Sequence, residues 1–514
     1  MTTSTLRLPL LFAAGLALLP AALLAAEQAP QCTYVNVATL PIRFAGAGLV
    51  PAVDGTIDGT PATMLIDTGS DDTYLTRNAT EKRGLALHMT GRYVSGIAGS
   101  SRLYWARLKD FGIGPAQSSR KIELPVIGHT TNTLSFDAIA GAPFLFQMDM
   151  EISLRDKELK LHRPQNCDDT YLPYWNEQSI VIPFERGHGK SPNPHFTVML
   201  NGHKLEAMIG TGAHHTTLTL AAAKRLGINV DAPGVKRLND LSGVGAEHVA
   251  HWSAPIDTFS IGGEMIRGGE IGIVDSQSNN SADVVLGQDF LRAHRLLFAV
   301  GQRKLYLAYL GGDVFARRDG LEPWMRQEAE AGNADAQYRL ALMYGAGSGV
   351  EKNSAVANNW LELAAASGSP QANLVLGRDL VRRGRYPDAI ARINAGLDQL
   401  PAERYGELWL YLARLRNGET ELAKSELQAR TAKHLSDAWP APIADFYLGK
   451  INGDKLLKLA ASEDYQPKQR GCEARTYMAE WHTAHGDKDT ARALIEARRV
   501  ECAPPKGAPK PDAG

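Results

Sequence analysis

The chain has 514 residues and a formal net charge of −1, a length that allows about three domains at roughly 150 residues each. The near-zero charge and the lack of a long basic run argue against nucleic acid as the main partner. The apolar fraction of 44% is ordinary for a globular protein.

The amino terminus has the pattern of an export signal. Arg7 precedes the apolar run LPLLFAAGLALLPAALLAA, and Ala25 and Ala26 precede the polar EQAPQ. A run of this length could also anchor the chain in a membrane, but Pro20 and the alanine-rich end favour cleavage. We therefore expect residues 1–26 to be a signal peptide and the mature chain to be periplasmic or secreted.

One sequence unit then occurs twice, and Asp67 of the first copy aligns with Gly210 of the second. TIDGTPATMLI precedes Asp67, and MLNGHKLEAMI precedes Gly210. Each stretch has an Asp-Gly or Asn-Gly pair between apolar runs, which is the strongest short signal for a β-hairpin. The repeated pattern predicts two copies of one β-rich unit.

The match continues to the end of each copy. SGIAGS corresponds to SGVGAE, DAIAGAPFL corresponds to DVVLGQDFL, and each copy closes on an alternating strand, KELKLH or RKLYLA. We predict a first β lobe over residues 27–165 and a second over residues 166–312, related by a pseudo-two-fold axis.

The stretch MLIDTGS contains the residue types needed to activate water between two carboxyl groups. Two carboxyl groups about 3 Å apart cannot both ionise, so one acts as a base and the other as an acid. The glycine allows a close backbone approach, and the threonine can hydrogen-bond to the counterpart loop. An apolar strand before the motif keeps such a site dry.

The run DTGSDDTYL resembles retroviral-type (retropepsin-like) aspartic proteases, and AIAGAPFL and VVLGQDFL resemble the segment that closes the unit of this family. The glycine-rich SGIAGS falls where the family has its flap, the hairpin that covers substrate. The resemblance covers most of residues 45–310. It implies an extended peptide or protein substrate and a catalytic Asp67 held by Thr68 and Gly69. The further cleft or flap residues that we infer on this basis are Asp71, Asp72, Gly96, Ile97, Gly99, Gly243, Val244 and Gly245.

The second copy departs from the family pattern. Gly210 stands where the second aspartate belongs, whereas Thr211 and Gly212 are kept. His214 and His215 replace the paired aspartates. If the lobes pair within one chain, the site has one carboxylate, and loss of one member of an acid–base pair costs about 10²–10⁴-fold in rate.

Three hypotheses follow from this departure. The leading hypothesis is an aspartic endopeptidase with water activated by Asp67 in a cleft between lobes, where Asp67 lobes from two chains complete the dyad in a homodimer. A monomer could instead be a degenerate protease that still binds extended peptides. In the third hypothesis the lobes are a scaffold, and the protein acts through its helical repeats.

Histidines of the second copy raise the question of a metal site. His214, His215, His248 and His251 lie in the second copy, but EHVAH lacks the order His-Glu-x-x-His of zinc proteases. Residues three apart on a strand also face opposite sides. We expect ordinary polar residues, with no metal and no cofactor.

After the second copy the sequence changes to helix formers in a repeated pattern, in which Gly332 corresponds to Gly368. The pattern fits paired antiparallel helices stacked as a solenoid, and it resembles the Sel-type and tetratricopeptide repeat families. We expect an all-α repeat domain over residues 320–502, able to bind a protein partner, and a disordered tail over residues 503–514.

The four cysteines agree with export, because oxidising compartments favour disulfides. Of the three possible connectivities, the spacing favours the local pairs Cys32–Cys167 and Cys472–Cys502. The second pair would join the start and the end of the last helical hairpin. Four free thiols are the alternative.

Overall fold

The computed structural model describes the chain over residues 1, 31–114, 116–118, 121–128, 130, 134–175, 178–187, 192–241, 243–245, 249–275, 282–315, 320–434, 439–462 and 467–502. Apart from Met1, the predicted signal peptide lies outside these residues. The predicted tail also lies outside them.

The first lobe consists of strands with two short helices. The strands are β1 (Thr33–Pro41), β2 (Arg43–Ala45), β3 (Val50–Ile57), β4 (Thr60–Asp67), β5 (Tyr74–Leu75), β6 (Leu87–Gly96), β7 (Gly99–Leu108), β8 (Phe111–Ile113), β9 (Ala116–Gln117), β10 (Ile122–Ile127), β11 (Ala138–Gly141), β12 (Asp149–Ser153) and β13 (Glu158–Gln165). The helices are α1 (Arg77–Arg83) and α2 (Ala142–Leu145).

The second lobe repeats this order. Its strands are β14 (Ile180–Pro183), β15 (Glu185–Arg186), β16 (Pro194–Leu200), β17 (His203–Ile209), β18 (Thr217–Thr219), β19 (Lys236–Leu241), β20 (Val249–Pro255), β21 (Thr258–Ile261), β22 (Glu264–Arg267), β23 (Glu270–Val274), β24 (Val284–Leu286), β25 (His294–Ala299) and β26 (Lys304–Tyr309). Its helices are α3 (Leu220–Arg225) and α4 (Gln288–Leu291).

The two lobes have matching sheet topologies. In the first, strands run in the order β3-β4-β11-β5, and in the second they run in the order β16-β17-β24-β18. The strand before each motif pairs in parallel with the closing segment, so that Gly141 lies beside Asp67. The predicted hairpin turns join β3 to β4 and β16 to β17, where Asp58 and Asn201 have positive φ.

A third sheet joins the lobes within the chain. Its strand order is β1-β13-β12-β25-β26-β14, and the central antiparallel pair, β12 with β25, crosses from one lobe to the other. The disulfide Cys32–Cys167, one of the two predicted pairs, links the start of this sheet to the end of β13. The surface through which one lobe pairs with another is therefore occupied by the other lobe of the same chain.

The helical module follows the second lobe, and its helices pack in successive pairs such as α6 with α7, α8 with α9 and α14 with α15. Its helices are α5 (Pro323–Glu330), α6 (Ala334–Ala346), α7 (Ser354–Ala366), α8 (Pro370–Arg382), α9 (Tyr386–Gln399), α10 (Arg404–Arg416), α11 (Thr420–Thr431), α12 (Ala441–Tyr447), α13 (Gly453–Ser462), α14 (Pro467–Ala484) and α15 (Lys488–Glu501). Side chains of Asn333, Asn353 and Ser369 cap the amino ends of α6, α7 and α8.

The disulfide Cys472–Cys502 joins α14 to α15, as the cysteine spacing predicted. One detail of that prediction was wrong, because Cys472 lies inside α14, which begins at Pro467. The two β lobes followed by an all-α module agree with the predicted fold class.

The first helices of the module pack directly on the lobes. Met325, Ala329 and Leu340 belong to the same buried apolar cluster as the lobe cores. The amide of Gly46 donates to Asp335 Oδ2 at 2.7 Å, which adds a polar contact. The module is therefore fixed to the lobes by a continuous core.

A buried ionic cluster fixes the first lobe to the middle of the module. Glu81 of α1 accepts a hydrogen bond from Arg77 at 2.8 Å and lies 3.5 Å from Nδ1 of His434. Nε2 of His434 lies 2.9 Å from Glu407 of α10. Burial alone would lower the pKa of His434, but the hydrogen bond with Glu407 and the nearby Glu81 carboxylate outweigh it and raise that pKa. Burial would raise the pKa of Glu81, but His434 and Arg77 outweigh it and lower that pKa.

We expect this cluster to stabilise the protein most between pH 4.5 and pH 6.5, the usual pKa values of Glu and His. A raised histidine pKa gives stability that is complete below 6.5 and lost as pH rises through the folded value. A lowered glutamate pKa gives stability that is present above 4.5 and lost as pH falls through the folded value. His434→Gln should flatten the fall in Tm between about pH 6 and pH 8. The exposed-site control His203→Gln should keep the wild-type profile, and an unchanged profile in His434→Gln would contradict the assignment.

Candidate functional site

Asp67 ends β4 at the contact between the two motif loops. The amides of Gly69 and Gly212 donate to Oδ1 of Asp67 at 2.9 and 3.3 Å. A Cβ on Gly212 would lie only 2.7 Å from Cγ of Asp67. The close approach of the second-lobe loop to this carboxylate therefore requires glycine at position 212.

Two threonines lock the motif loops together. The amide of Thr68 donates to Thr211 Oγ1 at 3.0 Å, and the amide of Thr211 donates to Thr68 Oγ1 at 3.3 Å. Each hydroxyl also donates across the interface, Thr68 to the Ile209 carbonyl and Thr211 to the Ile66 carbonyl, both at 2.7 Å. We call these four bonds the threonine bridge. Both threonines are buried, so the bridge holds the loops of the two lobes in register.

The site built by this pairing has a single motif carboxylate. Gly210 lies at the position related to Asp67, and a Cβ there would be 2.6 Å from Cγ1 of Val285. Burial raises the pKa of Asp67, although hydrogen bonds from Gly69 and Gly212 oppose the increase. Asp67 therefore keeps its proton to a higher pH than an ordinary aspartate.

The predicted flap residues lie at the tips of two hairpins that meet. One hairpin is β6–β7 of the first lobe, and the other is β19–β20 of the second. The amide of Ala98 donates to the Val244 carbonyl at 3.0 Å, and a Cβ on Gly243 would be 2.6 Å from Cγ2 of Ile97. Gly245 has φ of 116°, and a Cβ there would overlap the Ala98 carbonyl oxygen.

The other two predicted flap glycines also lie at this junction. A Cβ on Gly96 would overlap Val244, and Gly99, with φ of 89°, begins the returning strand β7. Val244 packs against the apolar cluster of the first lobe that contains Leu65 and Tyr74. Glycines at both tips thus allow the two hairpins to touch.

Asp71 and Asp72 line a cavity of about 220 Å³ beside the first flap. Flap residues 92–95 form one wall, and Trp105 is also in the lining. Burial raises the pKa of Asp72, with the Thr73 amide and Arg92 acting in the opposite direction. Asp67 is not part of this lining, so the pocket and the motif carboxylate are separate features.

The corresponding histidines of the second lobe have different surroundings. In the part of the chain that the structure describes, one group of three potential metal ligands is found, with polar atoms of His214, His215 and Glu322 within 4.8 Å of one another. Burial, His215 and the guanidinium groups of Arg339 and Arg292 lower the pKa of His214. The same guanidinium groups would repel a metal cation, so we assign no metal here. The expected lack of a metal or cofactor stays a prediction.

His251 and His248 do not join this group. His251 is buried in β20, opposite Leu238, and His248 lies outside the described residues. Sequence reasoning missed Glu322, Trp324 and Arg292, which surround His214. No short motif marks them, because they come from separate parts of the chain and meet only in the folded protein.

The family comparisons agree with two repeated units followed by a helical module. Residues 53–145 and 196–293 each match the family described as "gag-polyprotein putative aspartyl protease", and residues 334–369 match the Sel1 repeat. The solved structure of an aspartic proteinase from Irpex lacteus is 12% identical in sequence, with a TM-score of 0.36. That match covers 54% of this chain and 97% of the other. Two tandem segments of the chain therefore match this family, and one segment of the helical module matches the Sel1 repeat.

Proposed function

We propose that this protein binds an extended polypeptide in the cleft between its two lobes, and that Asp67 alone supports at most slow peptide hydrolysis. The observation that carries the proposal is the pairing of both lobes within one chain through the β12–β25 pair and the threonine bridge. This pairing places Gly210, and not a second aspartate, beside the loop of Asp67.

The features that support peptide binding are the paired flaps and the pocket at Asp71 and Asp72. Among the described residues, the flap strands β6 and β19 are the outer strands of their sheets, and main-chain hydrogen bonding to a sheet edge is a common means of peptide recognition. The pocket of about 220 Å³ has room for a side chain. Its two carboxyl groups favour a basic one.

The single carboxylate limits catalysis for a simple reason. One group must take a proton from water while another gives a proton to the leaving amine. Asp67 can fill one of these roles at a time. In the described residues, no second carboxylate donates to or accepts from Asp67, whose recorded partners are the amides of Gly69 and Gly212.

A second candidate is an active aspartic endopeptidase in which Asp67 lobes from two chains meet. Its support is that burial raises the pKa of Asp67 in the paired lobes, and a carboxyl group that keeps its proton is suited to acid–base catalysis. Such a dimer would have to exchange the β12–β25 contact between chains. The experiment therefore also has to distinguish a monomer from a homodimer.

The test is to measure binding and cleavage of a fluorescent random library of ten-residue peptides between pH 4 and pH 7, together with the size of the protein in solution. We expect a monomer with saturable binding, and cleavage far below the usual range of about 1–10³ s⁻¹. The peptide affinity of Asp67→Asn should stay within about tenfold of the wild-type value. Any remaining cleavage should be lost. The exposed control Asp168→Asn should behave like wild type. Lack of binding refutes the proposal, and rapid cleavage by a dimer that Asp67→Asn abolishes supports the second candidate.

Export and a protein partner complete the proposal. None of the helices in the described part of the chain has the length and apolar composition to cross a bilayer. Two disulfides suit an oxidising compartment, so we place the mature protein in the periplasm or outside the cell. Sel1 repeats stack helices into extended surfaces, and we propose that these bind a protein partner.

A further inference from the structure

The two ends of the cleft are unequal. Asp71 and Asp72 of the first lobe are exposed and line an open pocket. His214 and His215 take their place in the second lobe, and both are partly buried, with 24% of the His215 side chain exposed. Residues from outside the second lobe contribute to this burial.

These residues belong to the start of the helical module. The ring centre of Trp324 in α5 lies 6.3 Å from that of His214. A carboxylate oxygen of Glu322, the residue before α5, lies within 4.8 Å of both histidines. The indole N–H of Trp324 donates to Glu322. We call Glu322 and Trp324 the end cover.

The end cover is held to both lobes. The guanidinium carbon of Arg292, from the second lobe, lies 3.2 Å from the ring centre of Trp324 and 4.4 Å from that of Phe44. Phe44 belongs to the first lobe, and its ring centre is 5.3 Å from that of Trp324. Asn333 of the module donates to the Phe44 carbonyl at 3.0 Å.

A guanidinium group this close to two aromatic ring centres is attracted by both rings. Burial lowers the pKa of Arg292 to about 9, against the effects of Glu322, Glu328 and Asp289. Arg292 remains charged at neutral pH and keeps this contact. The end cover is therefore part of the packed structure.

We infer that the helical module closes the second-lobe end of the cleft, so that the cleft holds the terminal segment of a polypeptide and not an internal one. The inference rests on the proposed function and narrows its ligand class. A bound chain leaves the cleft past Asp71 and Asp72 and stops at His214 and His215. An internal segment would have to continue through the space that Trp324 fills.

The test compares four forms of one random ten-residue peptide library: free at both ends, fused to a folded domain at the amino end, fused at the carboxyl end, and fused at both. We expect one single fusion to bind like the free library, and the other single fusion and the double fusion to bind at least tenfold more weakly. The single fusion that binds identifies which terminus the closed end accepts.

The outcomes separate this inference from the proposed function. Equal binding of the double fusion and the free library overturns the inference and leaves peptide binding intact. Lack of binding by the free library overturns both. A loss of binding in both single fusions also contradicts a cleft with one open end.

Variants of the end cover provide a second measurement. Trp324→Ala should restore binding of the double fusion at least fivefold, whereas Trp360→Ala, which removes a half-buried tryptophan from α7, should not. If Trp324→Ala does not fold, Glu322→Ala removes the other half of the cover with less loss of packing. Folded variants of both kinds that still exclude the double fusion overturn the inference.

Discussion

Gly210→Asp is expected to raise the rate of peptide hydrolysis about 10²–10⁴-fold over wild type, which is the range that a missing acid–base partner accounts for. The new carboxyl group would lie beside Asp67 across the threonine bridge, where the two share one proton and titrate as a pair. The rate should then follow a bell-shaped pH profile. Cleavage of the fluorescent library from pH 3 to pH 7 measures both the gain and the profile.

One side chain limits this gain. A Cβ at position 210 would come 2.6 Å from Cγ1 of Val285, which must turn away. Ile139 has the related position in the first lobe, beside Leu65, and Asp67 is accommodated there. Movement of Val285 is therefore feasible, and Gly210→Asp with Val285→Ala should give the larger gain.

The control variant has a single motif carboxylate, which lies in the second lobe instead of the first. Asp67→Asn combined with Gly210→Asp has one acid in the second lobe and should be as slow as wild type. Peptide binding should stay unchanged throughout the series. A Gly210→Asp protein that folds and binds peptide but does not cleave faster than wild type at any of these pH values would disprove the view that the missing aspartate limits catalysis.

Thr211→Val is expected to lower the free energy of unfolding by about 2–6 kcal/mol, because it leaves two buried groups without partners at about 1–3 kcal/mol each. These groups are the amide of Thr68 and the carbonyl of Ile66, which now bond to the Thr211 hydroxyl. Valine fills nearly the same volume, so the loss reports the hydrogen bonds. Urea unfolding at pH 7 measures the change.

Two further variants check the cause. Thr68→Val should cost a similar amount, because its hydroxyl bonds to the Ile209 carbonyl and the Thr211 amide. The double variant should cost less than the two single costs added, since both threonines act in one network. Thr197→Val, on an exposed strand position, should change stability by less than about 0.5 kcal/mol. A Thr211→Val loss as small as that of Thr197→Val would show that the bridge does not hold the lobes together.

The sequence predicted those features of the site that depend on the geometry of neighbouring residues. Hairpin turns at Asp58 and Asn201, glycines at the flap tips, and threonines beside the motif aspartate all follow from local sterics and hydrogen bonding. The duplication also predicted the matching topologies of the lobes. The spacing of the cysteines predicted both disulfides, although Cys472 lies deeper in its helix than expected.

The same local pattern was ambiguous about how the lobes pair. The sequence allowed Asp67 to face a second Asp67 from another chain or Gly210 from its own, and no motif separates these cases. The structure places the β12–β25 contact and the threonine bridge within one chain. It also shows burial raising the pKa of Asp67, a property of the assembled lobes.

By itself, then, the sequence determined the identity of the motif residues, the missing carboxylate at Gly210, the two repeated β units and the helical module. Only the tertiary structure decided that the lobes meet within the chain and that Trp324 packs beside His214. The physical reason is the separation in sequence of the residues that make each contact. Turns, caps and tight glycine contacts are set by neighbouring residues, whereas contacts between Phe44, Arg292 and Trp324 depend on how distant elements pack.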